Sequence, residues 1–253
     1  MRKIVFNIYF WLALCSLTLT GFIVLPLILL WHKVLLGRKV DSAMRRAIRY
    51  YGWGLVHLLP FLSPTKVEYP GGLPGQPSVF VANHNSAIDP YLFGMIPIEN
   101  SFVTSWPFRI PVYRFFMHLA GYINAAHGWK EVCRGGKKLL ASGSSVTIWP
   151  EGHRSRDGCL GRFKNGAFAL AIEAKVPIVP VCILGSADVL APGQLLLNPG
   201  RVKILVFGAE YPDASLHKDE QKRELRHRVH GIIEDNLQRN GHFDKREAQV
   251  KDN

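Results

Sequence analysis

The chain has 253 residues, with 31 Lys and Arg against 19 Asp and Glu for a net charge of +12, and 48% of its residues are hydrophobic. With 14 Phe, 8 Tyr, 6 Trp and a charged fraction of only 20% it is not an intrinsically disordered chain. Four scattered cysteines, Cys15, Cys133, Cys159 and Cys182, with no CxxC pair, exclude a disulfide scaffold and a zinc ribbon. The length accommodates one α/β domain with appendages or two small domains. A basic chain points to nucleic acid, an anionic membrane surface or an acidic substrate, and the placement of the charge decides among them.

The charge gathers at the front. Residues 1–50 hold eight Lys or Arg against one acid, Asp41, and these flank an uncharged run from Ile4 to His32. As one helix the run would reach about 43 Å, more than the ~30 Å hydrocarbon core of a bilayer, with Gly21 and Pro26 available for a bend. It is too long for the h-region of a signal peptide, and no A-x-A site precedes the basic segment. Residues 1–39 therefore read as a membrane anchor. The heavier positive charge on the C-terminal flank places the rest of the chain at the cytoplasmic face if the run spans. A helical hairpin entering and leaving one leaflet fits the same composition.

Residues 40–64 follow as an amphipathic helix. Ala43, Met44, Ala47, Ile48, Tyr51, Leu55, Leu58 and Leu59 recur at near-helical spacing, with Arg45, Arg46 and Arg49 elsewhere on the surface. Such a helix can lie among lipid headgroups, arginines on phosphates, or pack on the domain as an ordinary amphipathic helix. Pro60, Pro64, Pro70, Gly71, Gly72 and Pro74 then punctuate a connection around a short strand at Lys66–Tyr69.

Residues 65–210 alternate strands with helices. The pattern predicts strands at Ser78–Ala82, Ile98–Thr104, Gly121–Asn124, Ser145–Trp149, Ile178–Leu184 and Arg201–Phe207, and helices at Pro90–Met95, Val112–Ala120, Val132–Ser142 and Ala167–Ala174. This is an α/β domain with a mostly parallel sheet flanked by helices, whose ligand sites gather at loops after strand ends. Residues 211–253 carry a last amphipathic helix, with Leu225, Val229, Ile232, Ile233 and Leu237 on one face, and a charged tail.

Two loops carry candidate chemistry. The strand Val79–Ala82 runs into Asn83-His84-Asn85-Ser86-Ala87-Ile88-Asp89-Pro90. His84 and Asp89 are about 140° apart on a regular helix and meet only if His84 lies in the turn before a helix starting near Asp89, with Asp89 as N-cap and Pro90 at the first helical position. A carboxylate holding one imidazole nitrogen leaves the other as a base near neutral pH; taken alone, Asp89 can equally be a simple cap. After a second apolar strand comes Pro150-Glu151-Gly152-His153-Arg154-Ser155, a tight turn whose basic side chains suit an anionic ligand, or a solvated charged loop.

These two blocks, followed by Phe163-Lys164-Asn165-Gly166 and by Val176-Pro177-Ile178-Val179-Pro180-Val181, resemble in order and spacing the motifs of the glycerolipid acyltransferases that acylate lysophosphatidic acid. The resemblance covers roughly residues 40–210. It implies O-acyl transfer from an acyl thioester, of coenzyme A or acyl carrier protein, to the free hydroxyl of a lysolipid, above all 1-acyl-sn-glycerol-3-phosphate, giving phosphatidic acid. By this pattern His84 is the general base and Asp89 orients it. Substrate-binding roles fall to Asn83, to Glu151 and Gly152 at the acceptor glycerol, and to Arg154 and Lys164 at its anionic group. Val176–Val181 lines the site or its acyl channel. The acceptor attacks directly, so neither Ser86 nor Cys159 is a nucleophile, and neither metal nor cofactor is required.

The chain departs from the family pattern at two places. Ala125 stands where an arginine is usual, and a lysine common near Ser105 is missing; both cations are associated with phosphate recognition. A lysophospholipid or lyso-aminolipid acceptor is therefore an alternative, with Arg109, Arg154, Arg156 and Lys164 available to compensate. Two rival readings are a hydrolytic metal site at His84, Asp89, Glu151 and His153, and a non-enzymatic basic protein of a membrane surface. Nucleic acid is disfavoured, because the basic excess borders the anchor and no binding module is present. Anionic membrane lipids remain the partner that the charge suits.

Overall fold

The computed structural model describes residues 2–37, 39–58, 64–155 and 158–240. Arg38, Leu59, Pro60, Arg156 and the charged tail beyond 240 lie outside the described residues.

Helix α1 (Arg2–Val34) is continuous through both Gly21 and Pro26, so the expected bend does not divide it. It is long and apolar enough to cross a membrane. Its neighbour α2 (Val40–His57) buries Ala43, Met44 and Leu55. Arg45, which the sequence pattern sets among headgroup-facing arginines, is instead drawn inward and is 3% exposed. Its guanidinium meets Glu99 at 2.9 Å, Asp41 at 3.2 Å and the Ala120 carbonyl at 2.9 Å. A buried guanidinium needs such partners for its donors, and finding them pins α2 to the domain. Close approach finishes the docking: a Cβ at Gly94 would lie 2.3 Å from the Trp53 backbone nitrogen.

The domain then runs β1 (Thr65–Glu68), β2 (Val79–Ala82), α3 (Asp89–Leu92), β3 (Asn100–Thr104), α4 (Pro111–Leu119), β4 (Ile123–Asn124), α5 (Trp129–Ala141), β5 (Ser145–Ile148), α6 (Gly166–Ala174), β6 (Ile178–Leu184), α7 (Ser186–Val189), β7 (Val202–Val206) and α8 (Lys218–Arg239). Single 3₁₀ turns follow α3 at Phe93–Met95, precede α4 at Pro107–Arg109 and follow β4 at Ala125–His127. One sheet of seven strands forms in the order β1-β7-β6-β2-β5-β3-β4. Every neighbouring pair is parallel except β6 and β7. This is the expected α/β class with a mostly parallel sheet, its one reversal bringing β7 and β1 to the edge.

The period-two alternation of strands divides the core between the two faces. Phe80 and Ala82 of β2, with Val179, Val181 and Ile183 of β6, point to the layer of α1, α2, α3 and α4. Val79, Val81, Ile178, Cys182 and Leu184 point to the layer of α5, α6 and α8. Leu225, Val229, Ile233 and Leu237 of α8 are buried there, while Ile232 stays half-buried.

Candidate active site

The site forms where β2 and β5 end, at the edge where parallel strands present their following loops. His84 lies in the turn after β2, and Asp89 opens α3, with Ile88 rather than Asp89 as its N-cap residue. The Asp89 carboxylate does not cap its own helix; it turns back. Its Oδ2 accepts from His84 Nδ1 at 2.8 Å and from the backbone N–H groups of Asn85 and Ser86, both at 2.9 Å. Asp89 is fully buried, and its Oδ1 has no hydrogen-bond partner among the described residues. An ionised carboxylate only accepts, so His84 Nδ1 carries the proton and Nε2 keeps its lone pair. His84 itself is partly open, its side chain 18% exposed.

The second loop clamps the first. Glu151 Oε1 accepts from the His84 N–H at 2.8 Å, Oε2 accepts from the Gly161 N–H at 3.0 Å, and the Ser155 N–H donates to the His84 carbonyl at 2.8 Å. Glu151 is 2% exposed, and burial pushes its carboxyl above the ordinary range against the opposing pull of those two backbone donors. It is therefore a bridge between backbones rather than a group facing open solvent. Gly152 takes φ +78°, a left-handed turn that glycine adopts without strain, and a Cβ there would come within 2.5 Å of Lys164 Nζ. His153, Arg154 and Lys164 are exposed beside this turn.

Sequence reasoning missed Trp149. Its ring stacks on the His84 imidazole at 4.8 Å and 29°, and on Phe102 at 5.4 Å and 24°. Its position before Pro150 at a strand end was the available signal. Asn83, expected at the substrate, is turned away: it is fully buried, donating to the Ile183 carbonyl at 2.8 Å and accepting from the Ile183 N–H at 2.7 Å. The Ile178–Val181 part of the fourth block lies inside the sheet as buried β6. Ser86 Oγ is committed to the Leu190 carbonyl at 2.6 Å, and Cys159 is buried. No group of three or more His, Cys, Asp or Glu that could hold a metal occurs among the described residues.

The family profile described as Acyltransferase matches residues 64–184, a span that contains both loops. Those residues belong to the acyltransferase family. The chain is 30% identical over 182 residues to a chloroplastic 1-acyl-sn-glycerol-3-phosphate acyltransferase of Brassica napus, covering 68% of this chain and 53% of that one. It is also 30% identical over 226 residues to a 1-acyl-sn-glycerol-3-phosphate acyltransferase of Chlamydomonas reinhardtii, covering 84% and 64%. It thus spans between about half and two thirds of the length of these relatives. In fold it is similar to the crystal structure of the 1-acyl-sn-glycerophosphate acyltransferase PlsC from Thermotoga maritima, with a TM-score of 0.71, 21% identity and coverage of 94% and 95% of the two chains.

Ser105 and Ala125, the two positions at which the resemblance led to the expectation of cations, share one edge of the sheet. Ser105 follows β3 and Ala125 follows β4, and the strands end in register at Thr104 and Asn124. Arg109 is exposed just beyond, as the last residue of the 3₁₀ turn Pro107–Arg109.

Proposed function

We propose that the protein transfers a fatty acyl group from an acyl thioester to the free hydroxyl of 1-acyl-sn-glycerol-3-phosphate. The observation that carries this reading is the His84 imidazole held by a buried carboxylate on Nδ1 and by Glu151 and Ser155 at its backbone. The relatives' names support the acceptor.

His84 Nε2 removes the proton of the acceptor hydroxyl as its oxygen bonds to the thioester carbonyl carbon. The tetrahedral intermediate collapses with cleavage of the C–S bond, and the imidazolium returns the proton to the departing thiolate. Asp89 stabilises the imidazolium in between. Glu151 acts through His84, fixing the loop that presents it. Arg154 and Lys164, exposed beside the Gly152 turn, neutralise the acceptor phosphate. The vacant cation positions at Ser105 and Ala125 favour a second reading, in which the acceptor carries a different head group.

The catalytic domain works at the cytoplasmic side of a membrane, where thioester donors are found. Asn7 bonds both backbone groups of Leu197, and the Phe22 ring packs on Phe116 of α4. Those anchors are about 22 Å apart along α1, and the stretch beyond Phe22 reaches only about 18 Å, short of the ~30 Å core. α1 therefore beds along one leaflet while staying on the domain.

The test is acyl-thioester consumption over a lysolipid panel, beside His84→Ala. Lysophosphatidic acid is expected to be the fastest acceptor, with transfer falling roughly 10²–10⁴-fold in the variant. Undiminished transfer by His84→Ala would remove the general base, and a faster acceptor of another head group would install the second reading.

A further inference from the structure

The loop between α7 and β7 presents an apolar surface that acyl transfer at His84 leaves unused. Its tip is a tight turn. The Gln194 N–H donates to the Ala191 carbonyl at 3.1 Å, and Gly193 takes φ +83° directly after Pro192, the pattern of a type II turn. Leu195, Leu196 and Leu197 follow, and they part company. Leu197 is buried, with both of its backbone groups held by the Asn7 side chain of α1. Leu195 and Leu196 turn outward, 79% and 53% exposed, and Leu195 is the most exposed large hydrophobic side chain among the described residues.

A single exposed leucine is ordinary, but three observations set this pair apart. The loop is pinned, so it cannot fold its leucines away: the Asn198 N–H closes its neck on the Val189 carbonyl at 2.8 Å, and the Ser86 hydroxyl holds the Leu190 carbonyl at 2.6 Å. Residues 189–200 carry no charged side chain. The Asn7 bonds also seat the loop against the first turns of α1, where Ile4, Val5 and Ile8 are each more than half exposed. The two leucines therefore continue the outer surface of a helix that is long and apolar enough to cross a membrane. A charge-free apolar tip that extends such a surface is complementary to the boundary between headgroups and acyl chains.

We propose that Leu195 and Leu196 dip into the leaflet in which α1 beds, a second membrane contact borne by the α/β domain itself. This rests on the reading of α1 as bedded along one leaflet and extends it to a loop far along the chain. Ser86 donates its hydroxyl to that loop and its backbone N–H to Asp89. The contact thus fixes the depth at which the turn carrying His84 sits relative to the lipid.

The experiment uses the full-length protein on vesicles of phosphatidylcholine and phosphatidylglycerol, with the photo-crosslinker p-benzoylphenylalanine replacing Leu195 in one variant and Leu12 of α1 in another. Irradiation is expected to give phospholipid adducts at both positions, read by mass spectrometry. Lipid at position 12 and none at 195 overturns the loop contact while α1 stays bedded. A cross-linked dimer at 195 would assign the leucines to a second copy of the chain, and an adduct with another protein to a protein partner; either overturns the proposal. Absence of lipid at both positions sinks the membrane reading of α1 and the loop contact with it. The probe brings apolar surface of its own, so the double variant Leu195→Gln with Leu196→Gln supplies an independent measure. Its partitioning to the same vesicles at limiting lipid should fall about 10-fold or more, with thermal unfolding in detergent unmoved, whereas partitioning within about 2-fold of wild type would overturn the proposal.

Discussion

The two helical layers pack on opposite sides of the same strands, yet they end differently. Outward from the sheet, the layer of α1 to α4 stays apolar: Ile4, Leu12, Leu19, Ile23 and Leu27 of α1 are all more than 60% exposed, and Phe115 of α4 joins them at 63%. The layer of α5, α6 and α8 ends in charge, and its ion pairs face water. Exposure of so much contiguous apolar surface is costly in water and marks a surface that lipid covers. The protein thus straddles a boundary, one face finished by lipid and the other by solvent, and the histidine lies at the rim between them.

Three perturbations separate the contributions of rim and faces. The largest effect should come from the rim: Asp89→Asn removes the charge that holds His84 Nδ1, and kcat should fall on the order of 10²-fold while thermal unfolding shows an intact fold. A fall of less than about 3-fold would mean that the pair is structural. Next come the faces. Leu12→Asp with Leu19→Asp should cut partitioning to anionic vesicles in a sedimentation assay by about 10-fold or more, since each leucine forfeits roughly 1.5–3 kcal/mol of apolar burial. Arg223→Asp on α8 should change it little. Equal losses from both faces would erase the asymmetry. The smallest effect belongs to the stack under the histidine: Trp149→Leu should lower kcat about 10-fold by loosening the imidazole, and Trp149→Phe should restore most of it. Leucine and phenylalanine variants that behave alike would show that volume, not the aromatic face, is what matters.

What could be read beforehand follows the range of the interactions involved. The seven apolar residues of β6 were legible with both ends correct, because a buried strand bounded by Pro177 and Gly185 is local information. The His84 and Glu151 loops were legible as well, because proline and glycine punctuate them. Contacts between distant positions were not. Arg45 reads as one more surface arginine until Glu99 and the Ala120 carbonyl, 54 and 75 positions away, come to it. Asn83 reads as part of a substrate motif until its amide meets Ile183, 100 positions on. The partners of Glu151 were hidden for the same reason: its oxygens end on the amides of His84 and Gly161, which no spacing rule connects. The antiparallel direction of β7 belongs here too, since the five residues Val202–Val206 carry no signal of direction.

The bond between Asn7 and Leu197 also bears on the order in which the molecule is made. Its two ends are 190 residues apart, and β1 likewise waits for β7. Domains form as the chain emerges from its N-terminal end at ~5–20 residues per second, so α1 is exposed for tens of seconds before its docking partner exists. During that interval only a bilayer or a chaperone can cover its apolar surface. Whichever of the two covers it comes first, and the domain is assembled against a helix already in place.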